Sequence, residues 1–308
     1  KETMKKTKFF KVVSIWGLFW LFFFSSCSKD FSPISPGSNS ARVEVGTPVK
    51  IVDIGLQPDW SPDGKWIAYT GWSNNAENIF IIPDTGGVPI QLTSGPKWKN
   101  YPSWSPDGKT IAFSSNMGEE GNYKIFSIPA EGGPITKITP DSLWVQGCDW
   151  SPDGTTIVFD AGIAPDWYHD IWSVRLSDGK ITRITNDSTY NGWPKYSPDG
   201  SRIAFESAMG CDDSGLLQIW TVASDGSDPK QITTEGGEWP CWSPDGKWIA
   251  YRRGNDICII LSQGGEPVEI VTGGKCYSCP AWSPDGKKIA YHGGDHASIW
   301  VVPVNIRE

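Results

Sequence analysis

Two sets of short apolar triplets alternate along most of this chain, and their spacing sets the reading. Triplets of the form Ile-Ala-aromatic or Ile-Val-aromatic open at Ile67, Ile111, Ile157, Ile203, Ile249 and Ile289. A second set opens at Ile79, Ile125, Ile171, Ile219, Ile257 and Ile299. The second runs alternate in polarity, as in Ile125-Phe126-Ser127-Ile128 and Ile219-Trp220-Thr221-Val222. Their β-branched and aromatic content predicts strands rather than helices.

A Ser-Pro-Asp-Gly tetrapeptide starts six residues ahead of each first triplet, at Ser61, Ser105, Ser151, Ser197, Ser243 and Ser283, and so recurs every 40 to 46 residues. Pro presets φ, Asp bonds the backbone ahead and Gly takes the left-handed position, so each copy is a turn between two strands. Gly86-Gly87, Gly132-Gly133, Asp178-Gly179, Asp225-Gly226 and Gly264-Gly265 then precede a last strand, such as Ile135–Thr139 or Ile181–Thr185. Four antiparallel strands per repeat, in tandem and without helical segments, predict one propeller blade each. Only five residues follow Pro303, so the sixth repeat is expected to form no fourth strand of its own. Pro48–Asp53 begins 13 residues before Ser61, much as Pro229–Thr233 begins 14 before Ser243, and reads as the missing strand. The expected fold is all-β: a six-bladed β-propeller of four-stranded antiparallel blades, the last closed by strand 48–54, which removes an open edge.

The aromatic-flanked turns also carry a family likeness. Trp-Ser-Pro-Asp-Gly-Lys followed by Ile-Ala-Tyr or Ile-Ala-Phe, as at Trp60, Trp104, Trp242 and Trp282, resembles the propeller repeat of TolB and TolB-like proteins across residues 47–308. The same repeat occurs in the propellers of prolyl oligopeptidase-type and dipeptidyl peptidase IV-type enzymes and of oligogalacturonate lyase-like proteins. The resemblance therefore implies the fold more than an activity. It implies protein contacts, with a peptidoglycan-associated lipoprotein as one partner. About 20 residues separate the N-terminal segment from the first strand. The form expected is one lacking the α/β domain that precedes the propeller in TolB.

Ahead of the repeats lie Met4-Lys5-Lys6-Thr7-Lys8, an apolar stretch Val12–Phe24, and Phe24-Ser25-Ser26-Cys27. This pattern predicts a secretory signal with a lipobox-like end. The apolar stretch is shorter than the roughly 20 residues a membrane-spanning helix needs. Resemblance to bacterial lipoproteins implies cleavage before Cys27 and acylation of its sulfur, with ordinary secretion as the alternative. The expected organisation is a signal at 1–26, a flexible Ser/Pro/Gly-rich tether at 27–46 and the propeller at 47–308. The expected location is the bacterial cell envelope, lipid-anchored, periplasm-facing or surface-exposed, at the outer membrane. Net charge is −8 for the whole chain and +4 for residues 1–26, which leaves −12 on residues 27–308. That balance disfavours nucleic acid and any polybasic membrane patch, leaving lipid as the membrane contact. A monomer is expected.

Six cysteines follow Cys27. Cys241 and Cys258 stand where other repeats carry Ser103 and Trp172 and read as packing residues, whereas Cys276 and Cys279 can bridge to each other or to a loop partner. Cys276, Cys279, His292 and His296 have zinc-finger spacing, but a turn and a strand separate the two pairs, so the finger fold is excluded. Hairpin geometry still places Cys279 and His292 at one end of a blade, where a metal site is one option and free thiols, or a disulfide with solvated histidines, are the others. No motif implies a cofactor.

Aromatic residues crowd the loops that open onto one face. Trp98 and Trp144 lie seven residues before their repeat's Ser, and Tyr101, Trp193 and Trp239 lie four before. Trp72 and the run Asp166-Trp167-Tyr168-His169 add to them. Flat rings beside hydrogen-bonding side chains suit a sugar or an extended peptide, and wedges between blades are the structural alternative. The six turn aspartates repeat too regularly to be catalytic. No Gly-x-Ser-x-Gly elbow occurs, so we expect a non-catalytic envelope scaffold that docks a protein segment or a glycan. A metal-dependent polysaccharide lyase-like or other carbohydrate-active propeller is the alternative.

Overall fold

Each Ser-Pro-Asp-Gly turn is tied by one set of bonds. The Ser hydroxyl donates to the Asp carboxylate at 2.5–2.7 Å and accepts the N–H five residues on at 2.9 Å. The Asp accepts a further backbone N–H at 3.0–3.1 Å. The turn glycines sit at φ 70–71°, a region that glycine reaches without steric cost. The aspartates therefore serve the turn in every blade.

The computed structural model describes residues 42–117, 122–162, 169–210, 215–273, 278–294 and 297–307. They form six antiparallel sheets arranged as blades. In blade 1 the strands are Leu56–Trp60, Trp66–Ser73, Ala76–Pro83 and Ile90–Gln91, paired in that order. All twelve isoleucines that open the triplets have 0% exposure and fill the core between blades. Fourth strands are shorter than the sequence predicts. In blade 2 only Thr136–Lys137 pairs, because the Ile125 N–H is taken by the Thr139 hydroxyl at 2.9 Å.

Val49–Val52 pairs with the last third strand, Ser298–Arg307, through Val49↔Val301 and Val52↔Ile299. The ring is closed as expected. A Cβ on Gly64 would lie 3.3 Å from Pro284 Cγ, and one on Gly108 3.4 Å from Pro62 Cγ, so the last turn meets the first as the first meets the second. The Trp60 indole likewise donates to Ala281 O in the last blade at 3.1 Å, as Trp242 does to Lys195 O at 3.1 Å.

One expectation is corrected at this seam. Arg42–Val45, assigned to the tether, is a strand paired with Val304–Arg307, so the last sheet has five strands. The residues after Pro303 prolong the third strand, and their free edge accepts Arg42–Val45. Val43 and Ile306 then pack on the buried cluster around Trp248 and Ile270.

Candidate functional site

The residue four before each turn Ser decides what fills the bore of the ring. Gln57, Tyr101, Trp193, Trp239 and Cys279 sit there at φ 48–54°, and Gly147 holds the place in blade 3. Each first strand changes register there, as between Asn100 and Ser103 or Gly192 and Lys195. Such bulges re-aim a side chain, at a cost of about 1–2 kcal/mol for a non-glycine residue with positive φ.

Polar side chains on neighbouring second strands offset that cost by accepting the N–H groups of these residues. Tyr101 N donates to Thr70 Oγ1 at 3.3 Å, Trp193 N to Asp160 Oδ1 at 3.3 Å, and Trp239 N to Glu206 Oε2 at 2.9 Å. Gln57 N donates to His292 Nδ1 at 3.3 Å. Thr70, Asp160, Glu206 and His292 all lie nine residues after their turn Ser.

The bulged aromatics meet at the axis. Tyr101 and Trp193 have centroids 4.2 Å apart at 49°, and Trp193 and Trp239 are 6.5 Å apart at 70°. Beside them lies a cavity of about 60 Å³, lined also by Asp59, Lys195, Cys148 and Cys241. Ligand clefts commonly measure about 300–1,000 Å³, so this one holds a few waters. Lys195 Nζ contacts Asp149 Oδ1 at 3.0 Å. Burial works against the Lys195 charge, but Asp149 and Asp59 outweigh it and hold the ammonium well above its usual range. Burial pushes the Asp59 carboxyl up to about 6, against the pull of Lys195 and an N–H from Trp104 at 2.7 Å.

A second cluster joins blades 3 to 5. Asp160, fully buried, accepts Gly147 N at 2.8 Å and His169 Nδ1 at 2.7 Å. The His169 ring meets Trp144 edge-on at 6.2 Å and lies 6.0 Å from Tyr190. The Tyr190 hydroxyl donates to Glu206 Oε1 at 3.1 Å. Burial, with Glu238 nearby, raises the Glu206 carboxyl well above its ordinary value. Arg252 contacts Glu238 at 3.1 Å and stacks over Trp239 at 5.0 Å.

Of the residues singled out by sequence, the structure thus brings Tyr101, Trp193 and Trp239 into the bore and Trp144 against His169. Trp72 and Trp98 stand apart on the rim of blades 1 and 2, 45% and 40% exposed. Cys279 lies beside Ser278, which pairs with His292, so these two do share one end of the blade. Burial, with Arg252 adding to it, lowers the His292 imidazole to about 3. Among the described residues no group of three His, Cys, Asp or Glu is placed to hold a metal. Cys27, Asp166, Trp167, Tyr168, Cys276 and His296 lie outside the described residues.

Sequence reasoning passed over Asp59, Asp160, Lys195 and Glu206. A signal for two of them existed: directly after each near-invariant first triplet the residue changes from blade to blade, through Thr70, Ser114, Asp160, Glu206, Arg252 and His292.

Four-stranded blades, a closed ring and a bore plugged by bulged aromatics define a six-bladed propeller without an open axial channel among the described residues. The chain belongs to the TolB β-propeller family, whose domain model matches residues 47–166 and 163–307. No curated protein matches it. A protein of Agrobacterium tumefaciens assigned as TolB is 25% identical, with 88% of this chain and 100% of that one covered and a TM-score of 0.66. TolB from Acinetobacter baumannii is 23% identical over 89% of this chain, which spans 66% of that protein's length, with a TM-score of 0.59. Oligogalacturonate lyase from Vibrio parahaemolyticus, 13% identical over 86% of this chain and 97% of that one, shares the fold with a TM-score of 0.59.

Proposed function

We propose that this chain is a non-catalytic, lipid-anchored propeller of the bacterial cell envelope that docks a protein segment on its aromatic loop face. The plugged bore carries the reading. With Tyr101, Trp193 and Trp239 packed together and about 60 Å³ left beside them, the bore itself admits no more than a few waters. On the rim, Trp72 and Trp98 offer exposed indoles, a residue type enriched among the anchors of protein interfaces. Family membership supports a peptidoglycan-associated lipoprotein as the partner, with a glycan as the competing ligand. Calorimetry with a purified lipoprotein of that class tests it. Replacing Trp72 and Trp98 together by Ala is expected to weaken binding by tenfold or more. Undiminished affinity would remove the aromatic rim from the reading, and heat only with peptidoglycan fragments would make the ligand a glycan.

A metal-dependent polysaccharide lyase-like or other carbohydrate-active propeller is the second reading, favoured by one observation. Asp160 on His169 Nδ1 leaves Nε2 as the lone-pair nitrogen, fit for a base or a metal ligand. Release of unsaturated sugars from a polyuronate with added manganese, lost in His169→Ala, would establish it.

A further inference from the structure

We propose that the cleft between the turns of blades 1 and 2 is a second docking site, which takes an extended peptide segment of another protein in which branched aliphatic residues alternate with Lys or Arg. It lies at the Ser-Pro-Asp-Gly end of the blades and is independent of the aromatic loops. The cleft measures about 660 Å³ and is walled by Trp66, Ile81, Trp104 and Ala130. A volume of that size falls within the range of ligand clefts.

The same wall recurs between blades 5 and 6, where the fold itself covers it. Trp248 stands five residues after its turn Ser, as Trp66 does, and Trp282 stands one before, as Trp104 does. Ile259 lies two residues before Leu261, the partner of Trp248, and Ile81 two before Pro83, the partner of Trp66. Val304 N donates to Lys287 O at 2.8 Å, as Ala130 N does to Lys109 O at 2.8 Å. Onto Trp248, Ile259, Trp282 and Val304 pack Val43 and Ile306, which face each other in the ribbon of Arg42–Val45 and Ser298–Arg307. Trp248 is thereby buried. In blade 2 the chain turns back after Ala130, with Gly132 N donating to Pro129 O at 2.8 Å, so no strand runs on over the wall and Trp66 stays half-buried.

The seam between blades 6 and 1 indicates the charge of the occupant. There Lys288 takes the place of Trp66, and Trp60 and Asp84 those of Trp104 and Ala130. The Lys288 ammonium lies 5.7 Å over the Trp60 ring and donates to Asp84 Oδ2 at 2.8 Å. Between blades 1 and 2 that lysine is replaced, yet Asp63, Asp107 and Glu131 line the cleft against Lys109. Donation from the Ser61 and Ser105 hydroxyls holds both aspartates below their usual range, so both are charged at neutral pH. Lys65 and Lys109 lie 3.2 and 3.7 Å from them, whereas Glu131 is exposed and forms no ion pair among the described residues. A cation on the occupant meets indole rings and a carboxylate, as Lys288 does.

Fluorescence polarisation with three labelled octapeptides tests this: Val alternating with Lys, Val alternating with Glu, and Ser alternating with Lys. The first is expected to bind about tenfold more tightly than the other two. Trp66→Lys with Ala130→Asp gives this seam the pair that closes the one between blades 6 and 1, and should weaken that peptide about tenfold while the melting temperature holds. Glu131→Lys, on an exposed turn clear of the core, should weaken it by about threefold. Equal or absent binding of the three peptides, or affinity unchanged in both variants, would overturn the proposal. Self-association of the wild type that the double variant abolishes would overturn it in favour of a second copy of the chain. Replacing Trp72 and Trp98 together by Ala should leave the peptide bound as before; loss there would move the site to the rim, so this proposal and the aromatic-face reading fail separately.

Discussion

The indole of Trp193 lies so close over Gly147 that a Cβ there would sit 2.6 Å from its Cε3. Every other blade has a side chain at that repeat position, so the glycine of blade 3 is what lets a neighbouring indole reach Tyr101. Gly147→Ala should push Trp193 off the axis and destabilise the protein by about 1–3 kcal/mol, the usual cost of overpacking. Thermal unfolding and a red-shifted tryptophan emission would report it. An unchanged melting temperature would mean that the plug gives way freely.

Asp160 receives three donors, Gly147 N, Trp193 N and His169 Nδ1. Asp160→Ala strands all three in a buried site, and each unpaired group costs about 1–3 kcal/mol before relaxation or entering water. A loss of about 3 kcal/mol in urea unfolding is expected, with a smaller loss in Asp160→Asn, which keeps one acceptor oxygen. A loss below about 1 kcal/mol in the alanine variant would show that the bulges do not depend on this carboxylate.

Asp59 gives the fold a pH dependence whose sign follows from its raised pKa. Its carboxyl titrates at about 6 against an ordinary 3.8, so the folded state resists its ionisation. The stability it favours is complete below pH 3.8 and lost as pH rises through 6, a difference of about 3 kcal/mol at most. Asp59→Asn removes this dependence and can still accept the Trp104 N–H. The variant should melt above the wild type at pH 8, and the gap should shrink as pH falls to 4. A gap constant with pH would place the effect in packing instead.

The sequence carried the architecture because a propeller repeats its scaffold and each copy reports the same residues. Ile67 and Ile79 could be recognised as core from their equivalents in the other repeats, and the closing strand from its distance to Ser61. The same averaging hid Asp160, whose role depends on a bulge 33 residues away in the next blade. Nothing in the composition around Trp193 announces a positive φ, so its ring reads as a face platform although it turns into the bore. Arg42–Val45 escaped for the opposite reason: it repeats nothing, and its partner strand is an overshoot unique to the last blade.

Closure of the ring makes a graded prediction. A chain starting at residue 47 loses only the Arg42–Val45 ribbon and keeps Val49–Val52 on the Ser298–Arg307 strand. It should unfold cooperatively at a modestly lower temperature. A chain starting at residue 54 also loses Val52 and Ile51, which pack with Trp60, Tyr69 and Ile299 across the seam between the last blade and the first. Burying two such aliphatic side chains is worth roughly 3–6 kcal/mol, and without them the edge of the last blade is open. Cooperative unfolding should then disappear, with broad calorimetric transitions and early proteolysis of the last blade. A sharp transition at the wild-type temperature would show that the ring holds through the Trp60 to Ala281 contact and the turn ring alone.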